Sequence, residues 1–240
     1  MKKLDEQIQQ AGFWSAVLIV ATTLISVFLP LDVPNAYEAT LADRVDWLNA
    51  NSGLFILSWT NQIASMLALS AMLAAMAWYI ARWNPLRALL SAILIAFATM
   101  AFLIPKFIAV WTIPMLSEAI ATQSTGYEMA LGLLPVLNVT VPYSLYTSFD
   151  YLGFWLYSVF ALLVCIPMTR GPLSARIIGI TLGLFGVIYN VLVAFILAGS
   201  IGRLQISDSL MTAALLLLVI SIAALFLFRS PATHEGQGSA

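Results

Sequence analysis

Histidine is almost missing from this sequence: of 240 residues only His234 is one, and it lies in a polar C-terminal stretch. Intramembrane zinc hydrolases, di-iron desaturases and bis-histidine haem proteins all need histidines facing a shared interior. Those classes are excluded, and the Ser-His and Cys-His nucleophile pairs fall with them. Cysteine is equally scarce. Cys165 stands alone, which excludes an intrachain disulfide and leaves a small apolar packing residue. Neither a Walker loop nor a dinucleotide-type glycine fingerprint occurs. No metal and no cofactor is expected. Charge is short as well: 9% of residues are Asp, Glu, Lys or Arg, against roughly 25% in a soluble domain. Ten basic and 11 acidic side chains give a formal net charge of −1, so there is no electrostatic footprint for nucleic acid.

What is present is apolar. Hydrophobic residues make up 62% of the chain, enough for several spans of about 20 residues each. Flanking charges and breakers cut out six stretches: Phe13–Leu29, Leu54–Ala81, Leu89 to Met115, Leu152–Met168, Ile177–Ala198 and Leu210–Phe228. The predicted fold class is all-α, a polytopic membrane helix bundle with six transmembrane helices in a single domain covering 1–230, followed by a disordered tail, 231–240. The second and third stretches exceed one crossing, so tilt or protrusion is expected. The run after Lys2 and Lys3 is longer than the apolar core of a cleaved signal and reads as a retained first helix.

Orientation follows from the basic residues. With a cytoplasmic N-terminus, Lys2, Lys3, Arg82, Arg87, Arg170, Arg176 and Arg229 lie inside and Arg44, Lys106 and Arg203 outside. This is the split that the positive-inside rule requires, and it puts both termini in the cytoplasm of a bacterial cell. Tyr127–Val141 could be counted as a seventh span, but Gly132 and Pro135 interrupt it. Counting it would move Arg170 and Arg176 outside, so an interfacial or re-entrant segment is expected. Asn35 and Glu38 have the spacing of a capping box. Tyr37, Leu41, Val45 and Leu48 then recur at helical spacing. The segment is either a short interfacial helix anchored by Trp47 or a loop covering the bundle rim. The linker Ser117–Asp150 is long enough to fold over the same end as a partial lid. Asn138-Val139-Thr140 is a glycosylation sequon, relevant only in a glycosylating host.

Polar groups inside a membrane are costly and point to function. In the fifth stretch Gly179, Gly183, Gly186 and Asn190 share one helical face, and the first two make a GxxxG step. In the second stretch Asn61, Ala64, Ala68, Ala71 and Ala75 form a similar stripe. Matching depths of Asn61 and Asn190 predict that spans two and five pack together. The plainer reading of both asparagines is hydrogen-bonded glue between helices. Pro105 should break the backbone ladder of the third stretch, and Lys106 follows it. Lys106 either meets Asp150 as a counter-ion or snorkels to the headgroups. Asn61, Gln62, Lys106, Asp150, Tyr189 and Asn190 all belong to the outer half, while the inner half reads as nearly pure Ala, Leu, Ile and Met. That asymmetry predicts an outward-facing polar pocket. It argues against a conduit, which needs polar groups at every depth. Met66, Met72 and Met76 read as flexible packing, not as a metal path.

Arg176, Gly179, Gly186 and Tyr189, set behind the basic turn Thr169–Ala175, form a pattern with Ala11-Gly12-Phe13 and the Arg82–Arg87 turn. The pattern resembles the uncharacterised six-helix bacterial membrane family catalogued as a domain of unknown function, number 4386. The resemblance covers most of Ala11–Phe228 and implies a six-helix bundle of bacterial type. It supplies no activity. The long acidic first loop and Pro105-Lys106 depart from that layout. Three functions follow as expectations. The first is a non-enzymatic sensor or accessory protein that sits in the lipid bilayer and binds a small ligand or lipid headgroup. The second is a small transporter, a homo-oligomer joined through glycine faces. The third is an enzyme using Lys106, Asp150 and Tyr189 as acid–base groups.

Overall fold

The structure is a computed structural model that describes residues 2–141, 144–200 and 206–229, with backbone only for 2 and 206–214. The notebook of elements is all helical among these residues: α1 (Lys2–Ser26), α2 (Leu41–Ala81), α3 (Pro85–Ala121), α4 (Tyr127–Leu137), α5 (Leu145–Met168), α6 (Leu173–Leu197) and α7 (Ile206–Arg229). Five of them, α1, α2, α3, α5 and α6, are long and apolar enough to cross a membrane. The expected tail 231–240 and Arg203 lie outside the described residues.

Six helices close a ring in which α1 packs on α2, α2 on α3, α3 on α5, α5 on α6, α6 on α7 and α7 back on α1. The shared core holds Phe102, Tyr157, Phe160, Phe185, Met72, Met76 and Ile80. In lipid such packing rests on dispersion and close fit, and glycines permit it. A Cβ at Gly179 would come within 2.7 Å of the Cys165 carbonyl oxygen, and one at Gly186 within 2.8 Å of Leu162. On the other side of the ring, a Cβ at Gly12 would meet Ala75 and Phe228 at 2.9 Å.

These contacts correct the predicted pairing of spans two and five. The glycine face of α6 seats on α5, its neighbour across the turn 169–172, and α2 presents Asn61 and Ala75 to α1. A stripe of small residues fits any close helix, and the helix joined by a short turn reaches it first. Within the predicted α2 stripe Ala68 is buried, Ala64 half-buried and Ala71 exposed.

α2 has 41 residues and α3 has 37, about 61 and 55 Å at ~1.5 Å per residue. A hydrocarbon core is only about 30 Å thick, so both overhang it. Their free ends, with α4 and the segment before α2, build a cap with its own core of Val45, Leu48, Phe55, Trp59, Ala109, Ile113, Leu134, Val139 and Tyr146. α4 is 11 residues long and lies against α3, too short to cross, as its Gly132 and Pro135 foretell.

Three further expectations are corrected here. The capping box is formed by Thr40 and Asp43, not by Asn35 and Glu38. Asn35 instead takes a left-handed conformation, φ 54°, in a turn whose carbonyl accepts from Glu38 N. The segment after Thr40 is neither a separate interfacial helix nor a loop. It is the first part of α2, set off by a kink at Asn51 (φ −124°, ψ 22°). α3 runs unbroken through Pro105 and Pro114, since neighbouring helices and local adjustment re-satisfy freed carbonyls in such helices.

Candidate functional site

Counting about 20 residues, one crossing, from the α2–α3 turn brings α2 to Asn61 and α3 to Lys106. The same count from the other end of α5 arrives near Asp150. These three positions therefore share one level, where the bundle meets the cap.

Lys106 falls on the buried stripe of α3, with Phe102, Pro105, Ala109 and Ile113. Its ammonium does not snorkel. Nζ donates to Asp150 Oδ1 at 2.9 Å and to the Tyr146 hydroxyl at 3.3 Å. It also sits 5.0 Å from the Phe102 ring centre and 5.3 Å from that of Tyr146. Phe102 belongs to the bundle core and Tyr146 to the cap core, so one cation joins the two aromatic groups. Side-chain exposure is 5% for Lys106 and 23% for Asp150. The carboxylate is the half of the pair that can be reached. Inside a low-dielectric region an unpaired ammonium would be costly, and the carboxylate and ring faces meet that cost.

The six residues expected in one pocket divide into three hydrogen-bond networks. Asn61 Nδ2 donates to Thr22 O and Ser26 Oγ, and Gln62 Nε2 donates to Ser26 Oγ at 3.1 Å. These bonds tie α2 to α1. Lys106 and Asp150 tie α3 to α5. Asn190 Nδ2 donates to Ser158 Oγ at 3.0 Å and to Gly186 O, while its Oδ1 accepts from Trp155 Nε1. Tyr189 gives its proton to Tyr151 O at 3.0 Å. Those bonds tie α6 to α5. For Asn61 and Asn190 the glue reading describes what their amides do.

Two networks escaped the sequence reading. In the cap Arg44 is buried and pairs with Asp32, and it also donates to Asn138 Oδ1 and Thr140 Oγ1. Thr140 in turn donates to Asp32. Asn138 is 2% exposed, so the sequon asparagine is a ligand of the arginine in the folded chain. Helical spacing carried the signal, because Arg44 shares a face with Leu41, Val45 and Leu48. Deeper in the bundle, Thr99 Oγ1 contacts Ser70 Oγ at 2.8 Å, and Ser70 meets the Tyr157 hydroxyl at 2.7 Å. That node joins α2, α3 and α5. The half towards the α2–α3 turn is thus less purely aliphatic than expected, and it also buries Ser91, whose hydroxyl has no partner.

The cap surface carries charge of one sign. Glu38, Asp43, Asp46, Glu118 and Glu128 are exposed, and Arg44 and Lys106 are buried. Among the described residues no group of His, Cys, Asp and Glu could hold a metal ion. No protein-family model, no curated protein and no solved structure matches the chain.

Proposed function

We propose that this chain is a six-span protein of a bacterial cytoplasmic membrane, with both termini inside. In this reading it binds a small molecule or a lipid headgroup from the outer side and serves as a sensor or accessory protein, not as an enzyme. The sixth span is α7, which completes the ring. The orientation rests on seven basic residues inside against three outside. The cap then faces outwards. The resemblance to family 4386 supports the bundle and adds no activity.

The observation that carries the reading is the Lys106–Asp150 pair, a buried ammonium whose carboxylate partner is partly open at the level where a span ends. Intramembrane ion pairs mark ligand and ion sites far more often than they mark stability. A transporter assembled through glycine faces has less support, because Gly179 and Gly186 are already filled by α5. An enzyme using Lys106, Asp150 and Tyr189 has less as well, because Tyr189 is 1% exposed and its proton is committed to Tyr151 O. Native mass spectrometry of the gently solubilised protein tests the proposal. A bound small molecule or lipid is expected, released by Lys106→Ala or Asp150→Asn. A wild-type protein with nothing bound, and both variants unchanged in stability, would defeat it.

A further inference from the structure

Only one half of the central ion pair is accessible, and this sets the sign of what can bind there. Lys106 lies beneath Asp150, so an anion could reach the ammonium only by displacing the carboxylate. A carboxylate has about four acceptor positions on its two oxygens. Lys106 uses Oδ1, and the group keeps 23% exposure towards the outside. The surroundings are aromatic. Tyr146, Tyr151 and Tyr189 are electrostatic neighbours of Asp150, and Tyr37 is one of Tyr151. Tyr37, from the segment before α2, is 73% exposed, and Tyr151 is half-buried. Tyr189 holds the backbone of this mouth by bonding to Tyr151 O. A carboxylate beside tyrosine faces is the chemistry that recognises organic ammonium groups, through charge and cation–π attraction together. A separate observation points the same way: the exposed charges of the cap are all carboxylates among the described residues, a field that gathers cations and repels anions.

We infer that Asp150, with Tyr151 and Tyr37, is a receptor for an organic ammonium group, either a free small amine or the headgroup of an aminophospholipid. The inference deepens the outward ligand site proposed above and rests on it. The buried lysine is a positioning residue that fixes the carboxylate. The tyrosines favour a soft, weakly hydrated cation over a metal ion.

Two measurements on the full chain separate the sources. In nanodiscs of phosphatidylglycerol alone, equilibrium binding of radiolabelled choline reads the free amine. In nanodiscs with equal phosphatidylethanolamine and phosphatidylglycerol, native mass spectrometry reads the lipid that stays bound. Binding of choline, or retention of the ethanolamine lipid, is expected in the wild type. The expected loss is about tenfold or more in Asp150→Asn and about threefold in Tyr37→Ala, which alters an exposed side chain and leaves both cores intact. Glu128→Gln, elsewhere on the acidic surface, is expected to change nothing. Choline binding alone assigns a free amine, and ethanolamine-lipid retention alone assigns a headgroup. Retention of phosphatidylglycerol as strong as that of the ethanolamine lipid, with no choline bound, overturns the ammonium inference and leaves an outward lipid site standing. Equal losses in Glu128→Gln and Tyr37→Ala would reduce the effect to general surface charge and also overturn it. If no ligand of either kind is held, the inference and the outward site fall together.

Discussion

Lys106 and Asp150, 44 positions apart in the sequence, meet at 2.9 Å where the helical bundle gives way to its cap. The contact lies between α3 and α5, which also pack directly through Gly153. A Cβ at Gly153 would fall 2.6 Å from the Phe102 ring. The ring is therefore drawn tight next to the charge pair, and the ammonium rests on the same ring.

Removing one partner of the pair should cost more than removing both. Lys106→Met alone leaves a carboxylate without its cation, an effect of about 2–4 kcal/mol when such a pair is buried, towards the lower end here because Asp150 retains solvent contact. Adding Asp150→Leu to that variant should recover part of the loss. Thermal unfolding in one detergent would show it, and a double variant less stable than Lys106→Met would contradict the account.

The glycines of α6 should not be equivalent. Gly179→Ala drives a methyl group into the Cys165 carbonyl, whereas a Cβ at Gly183 would meet Cys165 Cβ at 3.6 Å, an ordinary contact. Gly179→Ala is expected to lower the melting temperature by several degrees, with a cost of about 1–3 kcal/mol for overpacking. Gly183→Ala should be close to neutral. Equal effects would mean that α5 does not sit against this face.

Helix neighbours can be read by crosslinking in a Cys165→Ser background. Ser26→Cys with Asn61→Cys joins α1 and α2 where the native side chains lie 2.9 Å apart, and a product should form readily with a short thiol reagent. Asn61→Cys with Asn190→Cys should give none. A strong product from the second pair would restore the packing predicted from the small-residue stripes.

Arg44 should govern the cap alone. Arg44→Gln removes the charge that Asp32, Asn138 and Thr140 share. Hydrogen exchange is expected to rise at least tenfold in α4 and in the first part of α2, with the α5 and α6 amides unchanged. Uniform acceleration across the whole chain would show that cap and bundle do not open separately.

Much of this architecture was legible in the sequence because lipid imposes few solutions on an apolar chain. The long helices, the short helix at Tyr127 and the Lys106–Asp150 partnership all followed from runs, breakers and the cost of an unpaired charge. The helix partners did not follow. Gly179, Gly183 and Gly186 announce a close approach without saying to what, and equal depth made Asn61 and Asn190 look like mates when each bonds to a different neighbour. Arg44 was missed because a charge in a loop reads as solvated. Its place on the Leu41–Val45–Leu48 face becomes meaningful only once the cap core is known. The Ser70–Tyr157–Thr99 node was hidden for a related reason: hydroxyls on a helix can bond to their own backbone, as Ser70 does to Met66 O and Thr99 to Ile95 O, and so carry no signal of a partner.

The pairing of Asp32 with Arg44 also bears on the order in which the chain is made. The two lie 12 positions apart, whereas Asn138 and Thr140 arrive 94 and 96 positions after Arg44. The arginine can therefore be neutralised as soon as the first connecting segment has been translated, long before its other ligands exist. The cap would begin as a small neutral hairpin and gain its polar lining only after α3 and α4 had followed.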